Sequence, residues 1–317
     1  MKYDIITIGG AIRDIIFYTN EGLVVNNPNP LCEKLIAFEL GAKIYTDEAY
    51  WSWGGGADNT GVGVAKLGLK TAIIVRVGAD SEGDELVKYF KKQGIETKFI
   101  QRDKNIRTGF SLVTTLKNKK AHTIFVYRGP GEDLNSLPKN ISAKWIYISS
   151  LSAKYWEKMM NQILKYKAIK AWNPSIVQLK TGYSKLSKYL KQIDVLILNE
   201  DEARELVLSA QKTKDLSIKH LLKRIYQMGP KIVAITAGPK GVFAYNGDKF
   251  YSHKIKKAKV VNTVGAGDAF SSGFIAGLFY DKNNIQKALH WGILNSASVI
   301  AKIGAQEGLL NKSNLKF

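Results

Sequence analysis

The chain has 317 residues, 45% of them hydrophobic and 10% aromatic, with only 7 prolines; this supports a sizeable core and excludes disordered and collagen-like chains. Lys and Arg number 47 against 27 Asp and Glu, a formal net charge of +20. That balance suits nucleic acid or an anionic substrate, yet the lysines are spread along the chain, and the clusters at 117–120 and 254–257 read as a turn and a solvated strand edge.

In chain order, residues 1–4 carry an acid, and the apolar run 5–8 ends at Gly9 and Gly10. This is a first strand rather than a signal peptide, and no apolar stretch reaches membrane-spanning length, so the expected compartment is the cytoplasm. Extended patterns follow at 15–25 and 44–51, with an apolar, helix-like piece at 31–40 between them. Its Cys32 is the only cysteine, which excludes an internal disulfide and a cysteine-built zinc site. The four histidines have no metal-ligand spacing. Helix 57–67, strand 72–77 and helix 82–92 come next, then two extended runs at 107–116 and 121–128 that predict a β-hairpin. Strands at 145–148, 195–198 and 232–236 alternate with helices at 154–165, 200–208, 216–228 and 268–279. Such alternation predicts a parallel sheet covered by helices on both faces. The extended segments that break it predict a small second sheet, with one face on a cleft and one free. No repeat or linker divides the chain.

The most informative segment is Asn262-Thr263-Val264-Gly265-Ala266-Gly267-Asp268, between a β-like run and a helix. Small residues at a helix start let backbone N–H groups converge on an anion, and the helix dipole adds positive potential there. Gly265, Ala266 and Gly267 then form an anion hole for a phosphoryl group in transfer, and Asp268 accepts the proton of an attacking hydroxyl. The blander alternative is an ordinary first-turn acid, which explains Asp268 but not three consecutive small residues.

These residues resemble the D-T-x-G-A-G-D signature of the ribokinase-like (PfkB-type) carbohydrate kinases. Trp53-Gly54-Gly55-Gly56-Ala57-Asp58-Asn59, followed by Val64-Ala65-Lys66-Leu67-Gly68, resembles the second signature of that family, G-G-x-x-x-N…A-x-L-G, in the right order. The resemblance covers nearly the whole chain. It implies a three-layer α/β/α sandwich over residues 1–317 with a small β-sheet lid, built from segments near 15–25, 44–51 and 107–128. It also implies transfer of the ATP γ-phosphate to a sugar hydroxyl, with Mg²⁺ present, and homodimers paired through the lid. By the same resemblance, Asp14, Gly55 and Asn59 contact the substrate. Asn199 and Glu202 match N-x-x-E, which organises Mg²⁺ through water. Thr236, Gly238 and Gly241 match a turn lining the nucleotide, and Asn295 matches an Asn beside the adenine. Asn262 departs from the pattern: the family has an acid there beside a monovalent-cation site, so the resemblance leaves K⁺ activation open, with backbone carbonyls still able to bind a cation.

A dinucleotide fingerprint fails at Gly61-Val62-Gly63, inside a predicted helix and with Lys66 at the third glycine position. Walker A and Gly-x-Ser-x-Gly sequences are absent. The remaining alternatives are a nucleoside kinase, with Trp51, Trp53, Phe17 and Phe110 as a shelf for the base, and a sugar-phosphate kinase using Arg13, Arg107 and Arg128. A non-catalytic nucleotide- or nucleic-acid-binding protein on the same fold is the alternative from another class.

Overall fold

The computed structural model describes residues 3–27, 34–117, 121–134, 136–152 and 154–315. Its main sheet has eight strands, in the order Phe250–His253, Val242–Tyr245, Ile232–Thr236, Val195–Asn199, Ile169–Trp172, Ala143–Ile148, Tyr3–Ile8 and Thr71–Ile74. The strands from Ile232–Thr236 to Thr71–Ile74 are parallel, and the other two are antiparallel. The central strands are near-continuous apolar runs because both faces are covered. Ile146, Ile148, Leu196 and Leu198 pack with the helices Trp156–Ile163, Tyr183–Leu190, Glu200–Ala210 and Ile218–Gln227. The alternate residues Trp145, Tyr147, Val195 and Ile197 pack on the other side with Ala266–Tyr280 and Ile285–Val299.

The expected alternation is present, with differences. The predicted strand 72–77 divides at Val75, because Arg76–Gly78 leaves the main sheet to pair with Gln101–Asp103. The strands Ile169–Trp172 and Val242–Tyr245 are four residues each, too short to show a period. Helix Ile285–Val299 was also not expected: Gly292, Asn295, Ser296 and Ser298 blur its apolar stripe, and it is held by burial against Ala266–Tyr280.

A second sheet has the order Ala121–Tyr127, Phe110–Leu116, Ile12–Thr19, Glu48–Gly54; of the segment expected at 15–25, only residues up to Thr19 join it, and Leu23–Asn26 belongs to a separate two-stranded sheet. The helix-like reading of 31–40 is corrected: Lys34–Ala37 is a strand paired antiparallel with Leu23–Asn26. A cross-strand partner outweighs a short apolar pattern. Residues 31–33, with Cys32, and 118–120 of the expected hairpin turn lie outside the described residues. Among the described residues no helix is long and apolar enough to cross a membrane.

Phe270 and Phe274 stack with ring centroids 5.5 Å apart in the layer beneath Ala266–Tyr280, and Phe274 is fully buried. Phe274→Ala is expected to cost about 3–5 kcal/mol in urea denaturation. Leu208→Ala, at a side chain 47% exposed, is expected to stay within roughly 0.5 kcal/mol of wild type.

Candidate active site

Open α/β sheets bind ligands in the crevice beyond the carboxyl ends of their parallel strands. Here Gly9, Ser149, Asn173, Asn199 and Thr236 stand at those ends. Two helices begin on the same edge, Gly56–Lys66 and Ala266–Tyr280. Their first turns meet: Asn59 Nδ2 donates to Asp268 Oδ2 at 2.8 Å.

The turn into the second helix requires Gly265, whose φ of 78° is left-handed. The expected anion hole is corrected in one member. The Ala266 N–H donates to Thr263 O at 3.2 Å to close the turn. The Gly265, Gly267 and Asp268 N–H groups meet no acceptor among the described residues, as the first turn of a helix leaves them. No atom lies within 4 Å of where a Cβ would stand at Gly267, so this helix start has room for a phosphate.

Toward the second sheet, the three glycines 54–56 carry the backbone between two carboxylates. A side chain at Gly54 would strike Asp14, and a Cβ at Gly56 would stand 3.5 Å from Asp268 Oδ1. Gly55 takes φ 100°, where a Cβ would come 2.5 Å from Gly10 O. Asp14 is buried and accepts from Ser111 Oγ at 2.6 Å. Burial raises its pKa, and the serine hydrogen bond offsets part of that rise. Asp268 is pushed up to about 6, chiefly by burial, against the Asn59 hydrogen bond and with the charge of Asp14 adding to the rise. Asp14, Asn59 and Asp268 therefore gather around the same three glycines.

On the other side of Asp268 a cavity of about 660 Å³ is lined by Thr236, Gly238 and Gly241, and reaches Ala266 and Gly267. A smaller one, about 220 Å³, holds Asn199, Glu202 and Asp268. Asn199 and Glu202 cap their helix reciprocally: Glu202 N–H donates to Asn199 Oδ1 at 2.8 Å, and Asn199 N–H to Glu202 Oε2 at 2.9 Å. Burial pushes Glu202 up to about 7. Asn262 accepts from the Val264 N–H at 2.7 Å and donates to the Tyr18 hydroxyl at 3.5 Å.

Asn295 is the residue the structure does not bring to the site. It is fully buried, donates to Ala269 O and Ser272 Oγ, and accepts from the Leu310 N–H. Its polar groups tie two helices and a loop together. The neighbouring Ile293, Ser296 and Ala297 face the cavity instead. Asn173, Ser111 and Gln306 were not singled out from the sequence. Asn173 follows a strand too short to recognise, and the other two carry no local pattern.

Two measurements check these assignments. Asn295→Leu is expected to lose about 1–3 kcal/mol of stability by stranding buried partners, with the ATP KM within roughly twofold of wild type. A carboxyl whose pKa rises on folding stabilises most below its unfolded value, and that stability is lost as pH climbs through the folded value, here from 3.8 to about 6. Asp268→Asn is therefore expected to raise the melting temperature near pH 8 and change it little near pH 3, below both values.

The pfkB family carbohydrate kinase profile matches residues 22–312. A sugar kinase of uncharacterised specificity from Archaeoglobus fulgidus is 29% identical, covering 78% of this chain and 98% of its own. A 5-dehydro-2-deoxygluconokinase from Listeria monocytogenes is 28% identical, covering 99% and 95%. Among solved structures, the nucleoside kinase of Methanocaldococcus jannaschii superposes with a TM-score of 0.79 at 23% identity, covering 99% and 97%. The Arabidopsis thaliana ribokinase complexed with ribose and ATP gives 0.77 at 19%, covering 100% of both chains. These structures establish the ribokinase-like fold. With two helix starts converging on Asp268 and a family profile spanning most of its length, this chain belongs to the pfkB family of carbohydrate kinases and is a phosphotransferase.

Proposed function

We propose that this protein transfers the γ-phosphoryl group of ATP to a hydroxyl of an uncharged sugar. The observation that carries this reading is the Asn59–Asp268 hydrogen bond, which holds a carboxylate at a helix start beside unpartnered amides. The amides of Gly265, Gly267 and Asp268 stabilise charge on the phosphoryl oxygens. Asp268 orients the acceptor hydroxyl and takes its proton late in transfer. The larger cavity suits the nucleoside part of ATP, with Thr236, Gly238 and Gly241 on its wall.

Among the described residues no three His, Cys, Asp or Glu side chains form a metal cage. Glu202 and Asn199, beside the phosphate space, fit Mg²⁺ held mainly by phosphate oxygens and water. When bound, the ion neutralises charge on the β- and γ-phosphates.

The acceptor side favours a sugar. Side chains alternate across a strand, and the register places Asp14, Ser52 and Ser111 on one face of the second sheet. Phe17, Trp51, Trp53 and Phe110 stand on the other, so none of them forms a shelf for a base beside Asp14. Arg13 is on that far face too, stacked 4.2 Å over Trp53 and 3.8 and 3.9 Å from Glu82 and Glu85. Arg128 lies 3.5 Å from Glu132. Two of the cations considered for a sugar phosphate are thus engaged elsewhere. The Archaeoglobus fulgidus relative, a sugar kinase, supports a sugar acceptor. We read the second sheet as the lid of this site. Trp51 is 60% exposed on its far face and Phe125 59%, which supports pairing of that face with a second copy.

Three experiments test this reading. Asp268→Asn is expected to bind ATP and transfer at least about a hundredfold more slowly; equal turnover refutes the assignment of the base. A pentose or hexose, with an ATP analogue, is expected to raise the melting temperature; a shift with nucleosides alone points to the nucleoside reading. Light scattering at micromolar concentration is expected to show a dimer that Trp51→Glu dissociates, because a buried unpaired carboxylate is costly.

A further inference from the structure

Behind Asn59 runs a chain of polar groups that phosphoryl transfer does not itself require. The Tyr89 hydroxyl donates to Gln306 Oε1 at 2.6 Å. Gln306 Nε2 donates to Asn59 Oδ1 and to Asp58 Oδ1, each at 2.9 Å. Asn59 Nδ2 completes the path to Asp268. Gln306 is 5% exposed and Asp58 fully buried.

The direction of this chain is fixed by its acceptors. A carboxylate at Asp268 requires the amino group of Asn59 to face it, which turns the Asn59 carbonyl toward Gln306. Gln306 must then present its amino group to Asn59 and its carbonyl to Tyr89, which donates. Asp58 takes the second Gln306 hydrogen, so Gln306 is held at three points. The neighbouring residue adds a second contact with the site: Ala305 lies where a side chain at Gly265 would stand. The loop through 305 and 306 thus backs the phosphate-facing turn and the partner of the base together.

We propose that Gln306 is a positioning residue: it locks the Asn59 amide so that its N–H faces the Asp268 carboxylate, and holds that carboxylate in the orientation that receives the acceptor proton. This rests on Asp268 being the base, as proposed above. Asn59 keeps one amino hydrogen for substrate. Asp58, its Oδ2 buried without a partner, is held by burial well above the usual carboxylate range. The other carboxylates acting on Asp268 and its surroundings are Asp14 and Glu202.

The test is steady-state kinetics of Gln306→Leu in the full-length protein, alone and with Asn59→Ala, beside Asp268→Asn. Gln306→Leu is expected to lower kcat on the order of tenfold, since small misplacements of reacting groups are costly, with both KM values within about threefold. The acid limb of kcat/KM is expected to move up by roughly 0.5–1 pH unit as the Asn59 donor loosens. The double variant should be no slower than Asn59→Ala alone, as for residues acting through one another. Wild-type kcat and pH profile in a folded Gln306→Leu, or fully additive losses, overturn the proposal. Undiminished turnover in Asp268→Asn instead overturns the base assignment on which it rests. If Gln306→Leu does not fold, Tyr89→Phe decides: a kcat loss of about two- to fivefold that disappears in the Asn59→Ala background supports the proposal, and an additive loss or none refutes it.

Discussion

The hydrogen bond between Asn59 and Asp268 joins the first turns of two helices that lie 209 residues apart in the chain. Each turn brings the positive end of a helix dipole; the turn at Gly265 adds unpaired amides, whereas the Ala57 and Asp58 N–H groups donate to Gly10 O. On the function proposed above, those free amides are what would let a polyphosphate lie beside a half-buried carboxylate. The carboxylate is still not at ease there: burial lifts Asp268 to about 6 and Glu202 to about 7. Stability is thus given up at both carboxyls once they ionise.

Much of this arrangement was legible in the sequence because it depends on local chemistry. Gly265 is demanded by a left-handed turn, the glycines 54–56 by crowding between Asp14 and Asp268, and Asn199 and Glu202 by a helix cap. Each leaves a mark a few residues wide. The central strands were visible as unbroken apolar runs, since burial on both faces removes polar alternation.

What was not legible depends on contacts between distant segments. Asn295 looks like a site residue when read locally, yet its partners at Ala269, Ser272 and Leu310 turn it inward. Ser111 gains meaning only when Phe110–Leu116 pairs with Ile12–Thr19 and brings it opposite Asp14. Which residues of the second sheet share a face with Asp14 depended on strand register, where a slip of one residue exchanges the faces. The strand Lys34–Ala37 likewise exists because Leu23–Asn26 pairs with it.

The loop carrying Ala305 and Gln306 has a bearing on synthesis. A nascent chain that has emerged only through residue 303 already contains the glycine turn, Asp268 and the cavity wall at Thr236, Gly238 and Gly241. It lacks the buttress behind Gly265 and the clamp on Asn59. The turn at Gly265 and the Asn59 amide therefore gain their backing only when this late segment docks, so on the function proposed above a half-made polypeptide has little means of spending ATP on water.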